Sequence, residues 1–379
     1  MKILLCICFT YLVCILKSQE IDTLTFHSNA FNELRSVYII KPNDFKYKSD
    51  SVKFPVIYVL DGQHEWFVNP ILSDIKYLQY THEIPNALVV LIPHNDRQKE
   101  CGIKNLNVKL PLEDFIINEL DNELSKYHPN PFKIIIGHSF SASFSLLAYY
   151  NNYNYFNAVI AHTPLDQLEN LIIKFEKNNN IDKSNIAISI GGINQGKDYH
   201  HRKNYNQLQK EKPNFFNLIN IFEANYSAHN AVPIVATSPL LSNIFANYRA
   251  RYSSIAQVND EYQLKNLPDS SFQEIEELIH LSKLYKYFYP PEIADINGIA
   301  SRFYFSGYYQ HAIKVYELGI DYYPHYYEFY LSLYELLANT NKTLATQYLL
   351  KAEQLLKSIE NNWKGKQLIL QEIETLKNN

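Results

Sequence analysis

Apolar residues fall along the first 260 positions in short runs separated by stretches of helical spacing. Asp22 to His27 and Ser36 to Lys41 alternate apolar and polar, the pattern of an antiparallel pair with one wet face. Phe54 to Leu60, Ala87 to Ile92, Ile134 to Ile136, Asn157 to Ala161 and Ile186 to Ile190 are continuous and apolar, and Asn217 to Glu223 is the last such run. Leu112 to Tyr127 places Phe115, Ile116, Leu120 and Leu124 on one helical face, and Ala142 to Tyr150 is an apolar, helix-forming stretch. Continuous strands alternating with helices predict a mostly parallel sheet covered on both faces. Ligand chemistry in such a sheet belongs at the carboxyl ends of the strands.

After about residue 262 the pattern changes. Pro268-Asp-Ser-Ser271 is a turn with an N-cap signal, Phe272 to Phe288 reads as helical throughout, and Tyr289-Pro-Pro291 interrupts it. From Glu292 onward no strand pattern occurs. Ile299 to Tyr316, with the later Pro324, fits a helix–turn–helix repeat of tetratricopeptide type, in which Gly307, Tyr308 and Ala312 take the turn and close-packing positions. Residues 326–357 form a looser second copy containing Ala345 and Ala352. Fewer than three repeats are marginal alone, so this part is expected to pack on the first domain or on a protein partner; a plain helical extension is the alternative. The division expected is 1–18, 19–262, a helical linker 263–290, and a small all-α domain 291–379.

The N-terminus bears on location. Lys2 precedes an apolar run from Ile3 to Leu16, shorter than the roughly 20 residues of a membrane span. Residues 1–18 therefore read as a secretory signal peptide with cleavage near Ser18, and an uncleaved N-terminal anchor is the alternative. A secreted or periplasmic protein is expected. Cys6, Cys8 and Cys14 lie in this leader, which leaves Cys101 as the one cysteine after it and no internal disulfide. The net charge of −4 gives no electrostatic reason to expect nucleic acid as a partner.

The chemistry centres on Lys133-Ile-Ile-Ile-Gly-His-Ser-Phe-Ser-Ala142. A strand, a sharp turn carrying Ser139, and a helix form the nucleophile-elbow pattern, G-x-S-x-G, with Ser141 at the fifth position. An ordinary N-cap serine is the competing reading. A serine nucleophile needs a base, and His229 lies on the loop after the last strand, where the histidine of such triads falls. His138 neighbours the serine but points elsewhere in an elbow. The oxyanion hole needs two N–H donors: Phe140 opens the helix, and Gln63 follows the strand ending at Leu60, although Asp61-Gly62 also reads as a simple turn. The acid should follow Ile186 to Ile190, where Asp198 is the first carboxylate. Asp198-Tyr-His-His-Arg202 lacks a third ligand, so no metal and no cofactor is expected.

At these residues the chain resembles the esterase family of α/β-hydrolases, which includes esterase D, feruloyl esterases, enterochelin esterases and the antigen 85 mycolyltransferases. Phe54-Pro-Val-Ile-Tyr-Val-Leu-Asp-Gly62, the stretch Phe115 to Tyr127, Ile136-Gly-His-Ser139 and Ile160-Ala-His-Thr-Pro164 carry the likeness, which spans about residues 22 to 250. Pro291-Glu292, Ile296-Asn297 and Pro324 resemble secreted members with an appended helical region. The resemblance implies an α/β-hydrolase followed by a small tetratricopeptide-like domain. It further implies ester hydrolysis through Ser139 and His229, with donors at Gln63 and Phe140. Two positions depart from the family: Ser141 replaces a glycine, and Asn194 stands where many members carry the acid. The acid is then Asp198, or the ring of His229 is oriented by Asn194 or a backbone carbonyl in a Ser–His dyad. An iron-siderophore ester, a sugar-linked ester and a simple acyl ester remain open as substrates. An inactive member that binds a partner through its helical tail is the rival reading.

Overall fold

The continuous apolar runs form the centre of an eight-stranded sheet. A computed structural model of the chain describes residues 21–192, 196–284, 287–360 and 363–378; the leader 1–18 and Asn194 lie outside the described residues. The strands are β1 (Ile21–Ser28), β2 (Glu33–Ile40), β3 (Val56–Leu60), β4 (Leu88–Ile92), β5 (Lys133–His138), β6 (Ala158–His162), β7 (Ile186–Ile190) and β8 (Asn220–Glu223). Their order is β1-β2-β4-β3-β5-β6-β7-β8. β1 and β2 pair antiparallel, as do β2 and β4, and every later pairing is parallel. The alternating runs became the half-wet edge and the continuous runs became strands buried on both faces, except the last, which is strand only over Asn220–Glu223 and is partly exposed because it forms the other edge of the sheet. This is the α/β-hydrolase architecture that the sequence implied.

The pleat divides the core. Ile57, Val59, Ile134 and Ile136 face helices α1 (Glu65–Tyr80) and, later in the chain, the helix Val232–Ile244, whereas Val56, Tyr58, Leu60 and Ile135 face the opposite layer. That layer holds α2 (Arg97–Cys101), α3 (residues 111–127), α4 (Phe140–Asn151) and α5 (Leu168–Lys177). Phe115, Ile116, Leu120 and Leu124 of α3 are all fully buried, and a π-helical turn over Phe115–Leu120 lies within it. Cys101 is a free, buried thiol. Helix α6 spans Gly196–Glu211, and Val232–Ile244 is α7. β3 pairs with both β4 and β5. The chain leaves β3 toward one side and returns for β5 on the other, so a crevice opens between their carboxyl ends.

The stretch Phe272 to Phe288 differs from its helical reading. Helix α8 covers only Gln273–Leu281, and Lys283–Leu284 then pairs with Tyr287–Phe288 as a small antiparallel hairpin, β9 and β10. Aromatic packing overrides helical spacing here. Tyr287 and Tyr289 pack edge-to-face against Phe132, and Tyr287 Oη accepts a hydrogen bond from Asn157 Nδ2 at 2.9 Å. Five helices follow: α9 (Ile293–Phe305), α10 (Tyr309–Tyr322), α11 (Tyr327–Leu337), α12 (Lys342–Ser358) and α13 (Lys364–Lys377). No helix among the described residues is long and apolar enough to cross a membrane.

These helices share a core with the sheet domain. Ile293, Ile296, Phe303, Val315 and Tyr323 belong to the same apolar cluster as Leu24, Val52 and Phe54. A polar anchor accompanies it. Buried Glu292 accepts the Asn86 N–H at 2.8 Å and meets His82 Nδ1 at 3.2 Å, while Arg251 donates to Asp295 at 2.7 Å. His82 and the Asn86 N–H hold the Glu292 carboxyl below the usual carboxylate range despite its burial. Glu292→Ala leaves a buried N–H and an ion-pair partner unmatched, and should lower stability by about 3 kcal/mol. Urea unfolding checks this; a loss below about 1 kcal/mol would mean that the helices dock through apolar contact alone.

Candidate active site

Gly137 begins the construction. A Cβ on it would lie 2.3 Å from the Ser141 carbonyl oxygen and 2.6 Å from Ser145 Oγ, so β5 and the start of α4 approach closely only because this residue has no side chain. The chain then turns at Ser139, whose φ of 60° and ψ of −116° are unusual for a residue with a Cβ. The turn is held by backbone bonds. Ser139 N–H donates to His162 O at 2.9 Å, and Ser139 O accepts from Ala142 and Ser143 N–H at 3.1 Å. Ser139 Oγ makes no capping hydrogen bond to the helix, so the hydroxyl is not spent as an N-cap.

Two backbone N–H groups lie near the carboxyl ends of β3 and β5. Phe140 is the first residue of α4, where an N–H has no intrahelical acceptor. In the turn after β3, Gly62 N–H donates to Ile92 O and His64 N–H to Asp61 O, while Gln63 N–H between them has no acceptor among the described residues. A Cβ on Gly62 would come within 2.9 Å of the Ile92–Pro93 backbone, so this turn also requires glycine. The Gln63 side chain is held in turn by accepting from His94 N–H at 2.9 Å.

His229 opens a short 3-10 turn, Asn230 and Ala231 completing it, after β8. Its carbonyl accepts from His138 Nε2 at 3.1 Å, and the two rings lie 4.6 Å apart. His138, packed on Trp66 and Phe67, is therefore a support for the His229 loop. Burial, with His229 beside it, lowers its pKa to about 4 and keeps it neutral. The end of β7 lies against the same loop: Gly192 N–H donates to Ser227 O at 2.8 Å, and a Cβ on Gly191 would sit 2.8 Å from that oxygen. Asp198 falls in the first turn of α6, and its side chain lies outside the described residues. Glu223 is committed elsewhere. Its carboxylate pairs with Arg202, which also reaches Asn225 Oδ1 at 3.0 Å and Gly191 O at 3.3 Å.

Residues 28–212 match the model of the Esterase family, described as "Putative esterase". That segment is similar to the family over nearly half of the chain. No curated protein matches the chain. Among solved structures it is similar to an uncharacterised protein from Capnocytophaga ochracea DSM 7271, at a TM-score of 0.54 and 15% identity over 95% of this chain and 100% of that one. It is also similar to an IroE-like serine hydrolase from Shewanella oneidensis, at a TM-score of 0.54 and 17% identity over 79% of this chain and 98% of that one. At these identities the likeness is one of fold. The first covers nearly the whole chain, so the sheet and the C-terminal helices recur together there.

Several residues around this elbow escape a sequence reading. Arg97 sits on α2, 42 positions before Ser139, and donates to the His138 carbonyl at 2.6 Å. His201 on α6 places its ring 5.3 Å from that of His229. His162 at the end of β6 is fully buried, with Nδ1 2.8 Å from Ser189 Oγ and Nε2 3.2 Å from Thr237 Oγ1. Thr237 gives its own proton to Pro233 O, so Nε2 carries the imidazole proton and Ser189 donates to Nδ1. No spacing rule in the sequence joins these residues; only the fold does.

Burial lowers the His162 pKa to about 3. Between about pH 3 and the unfolded histidine value near 6.5, the unfolded chain binds a proton that the folded chain refuses. The contribution is therefore intact above about 6.5 and is lost as pH falls. His162→Gln should flatten the acid limb of stability against pH by on the order of 1.4 kcal/mol per pH unit. Denaturant unfolding from pH 4 to 7 reads this; the same slope in both proteins would show that His162 titrates alike folded and unfolded.

Proposed function

We propose that this protein is a secreted serine carboxylesterase acting on a small-molecule ester. The observation that carries the reading is the left-handed turn at Ser139, with an uncapped hydroxyl at the strand–helix junction and a His229 loop braced by His138. Ser139 Oγ attacks the ester carbonyl as His229 takes its proton. The N–H groups of Gln63 and Phe140 receive the oxyanion. His229 returns the proton to the departing alcohol, and water, activated the same way, releases the acid. Trp66 and Phe140, about half and two-fifths exposed at the mouth, suit an apolar or aromatic acyl group.

For the acid we favour Asp198. It lies three positions before His201 on one helix, so the two positions share a face, and the ring of His201 is beside His229. The segment leading to it leaves β7 where Gly192 is bonded to the His229 loop. Secretion rests on the leader at residues 1–18.

A fluorophosphonate probe followed by a panel of short-chain and aromatic esters tests the reading. Wild type should label and turn over ester, and Ser139→Ala should do neither while keeping its fold. His229→Ala should cost a similar factor, because nucleophile and base act as a unit. Turnover by a folded Ser139→Ala protein would overturn Ser139 as the nucleophile, and a folded wild type that neither labels nor turns over ester would leave a binding or scaffold role. Asp198→Asn should lower kcat by roughly 10 to 10⁴-fold; activity within about twofold of wild type would exclude it. A gain in Asn194→Glu would then identify a protein working as a dyad.

A further inference from the structure

We propose that Asp61, Arg97 and Ser141 form a positioning device that fixes both oxyanion donors relative to Ser139. The serine standing in place of the family's glycine is then a working part of the site and no sign of decay. The proposal rests on the esterase reading above.

Asp61 is almost wholly buried at the end of β3 and heads the turn that carries Gln63, with a φ of 60°. Its Oδ1 accepts Arg97 Nε at 2.5 Å. Its Oδ2 accepts Arg97 Nη2 at 3.1 Å and Ser141 Oγ at 2.5 Å. Ser141 and Arg97 in turn grip the residue before the nucleophile. Ser141 Oγ accepts from His138 N–H at 2.8 Å, and Arg97 Nη2 donates to His138 O at 2.6 Å. One carboxylate thus ties the turn that bears one donor to the elbow that bears the other. Gln63 is two residues from Asp61, and Phe140 is the neighbour of Ser141.

The chemistry requires each part. A hydroxyl holds one proton and two lone pairs, and Ser141 uses both functions at once, giving to Asp61 and receiving from His138. Glycine can do neither. A buried carboxylate this near an oxyanion opposes it, and the bidentate guanidinium cancels that charge in a fixed plane. Lysine keeps the charge but cannot make both bonds. Arg97 also lies over the Phe140 ring, 5.8 Å from its centroid, adding a contact to the donor-bearing residue. Small misplacement of oxyanion donors affects the transition state more than substrate binding.

The test uses the full chain with a chromogenic ester and a fluorophosphonate. Wild-type labelling and turnover establish the esterase reading first; their absence removes that reading before the device is at issue. In an active protein, Ser141→Gly should lower kcat about 10- to 100-fold, with KM within about twofold. The rate of phosphonylation should fall by the same factor, since that adduct needs the same donors. A purely structural role would lower the melting temperature without this matched loss in the folded fraction. Wild-type or higher kcat in Ser141→Gly, or a change confined to KM, overturns the proposal. If Ser141→Gly does not fold, Arg97→Lys decides. It should show the same split between kcat and KM, with turnover regained when arginine is restored, and full kcat in Arg97→Lys overturns the proposal.

Discussion

The site depends on one backbone crossing. β5 can end and α4 begin within a single residue only because the Gly137 α-carbon passes against the Ser141 carbonyl, too close for any side chain. That approach forces Ser139 into a left-handed conformation, which costs of order 1–3 kcal/mol. Such a turn persists when its surroundings over-determine it, and here they do. The peptide before Ser139 is held by Ser141 and Arg97, the Ser139 N–H by His162, and its carbonyl by two helix N–H groups. The hydroxyl is left uncapped as a by-product of how strand and helix are packed.

The same region shows how a sheet core accepts so many polar groups. The carboxyl ends of β3, β5 and β6 bury Asp61, His138, Ser139, Ser141 and His162. Charge is handled in two ways. Asp61 and Arg97 form a bidentate pair, the geometry that best offsets desolvation. His138 and His162 are instead kept neutral, lowered to about 4 and about 3 by burial, and each ring is satisfied as an uncharged donor. Glu100 on α2 follows the first route: His94 and Arg35 hold it down at about 2 against its own desolvation. The result is a floor of paired and neutral polar groups beneath the elbow.

How much of this was legible follows from the range of each interaction. Runs such as Val56–Leu60 and Ile186–Ile190 announce strands buried on both faces, because local composition alone decides that. Gly137 and Ser139 are legible for the same reason: the turn is made within five residues. Ser141 is the instructive case. Read locally it is a lost glycine, since its partner Asp61 lies 80 positions away and nothing near either residue marks the other. Arg97 is hidden likewise in a five-residue helix on the far side of β4. The helical reading of Phe272 to Phe288 failed through a tertiary effect, the edge-to-face packing of Tyr287 and Tyr289 on Phe132. A periodicity argument cannot see a surface that the rest of the chain supplies.

The two buried ionic clusters, beneath the elbow and at the C-terminal helices, share a design. In each a carboxylate from one segment is bonded to a different, distant segment: Asp61 to Arg97 and Ser141, Glu292 to His82 and the Asn86 N–H. Apolar side chains of similar volume could fill such places at comparable stability, because desolvation cancels much of what an ion pair gains. What apolar contact does not provide is register. A leucine tolerates sliding by an ångström, whereas a carboxylate bonded through both oxygens does not. The anchor at Glu292 sets where α9 begins against the loop before β4, and the anchor at Asp61 sets where the elbow stands against the turn after β3. In this chain polar burial is used where relative position matters, and apolar burial supplies the cohesion everywhere else.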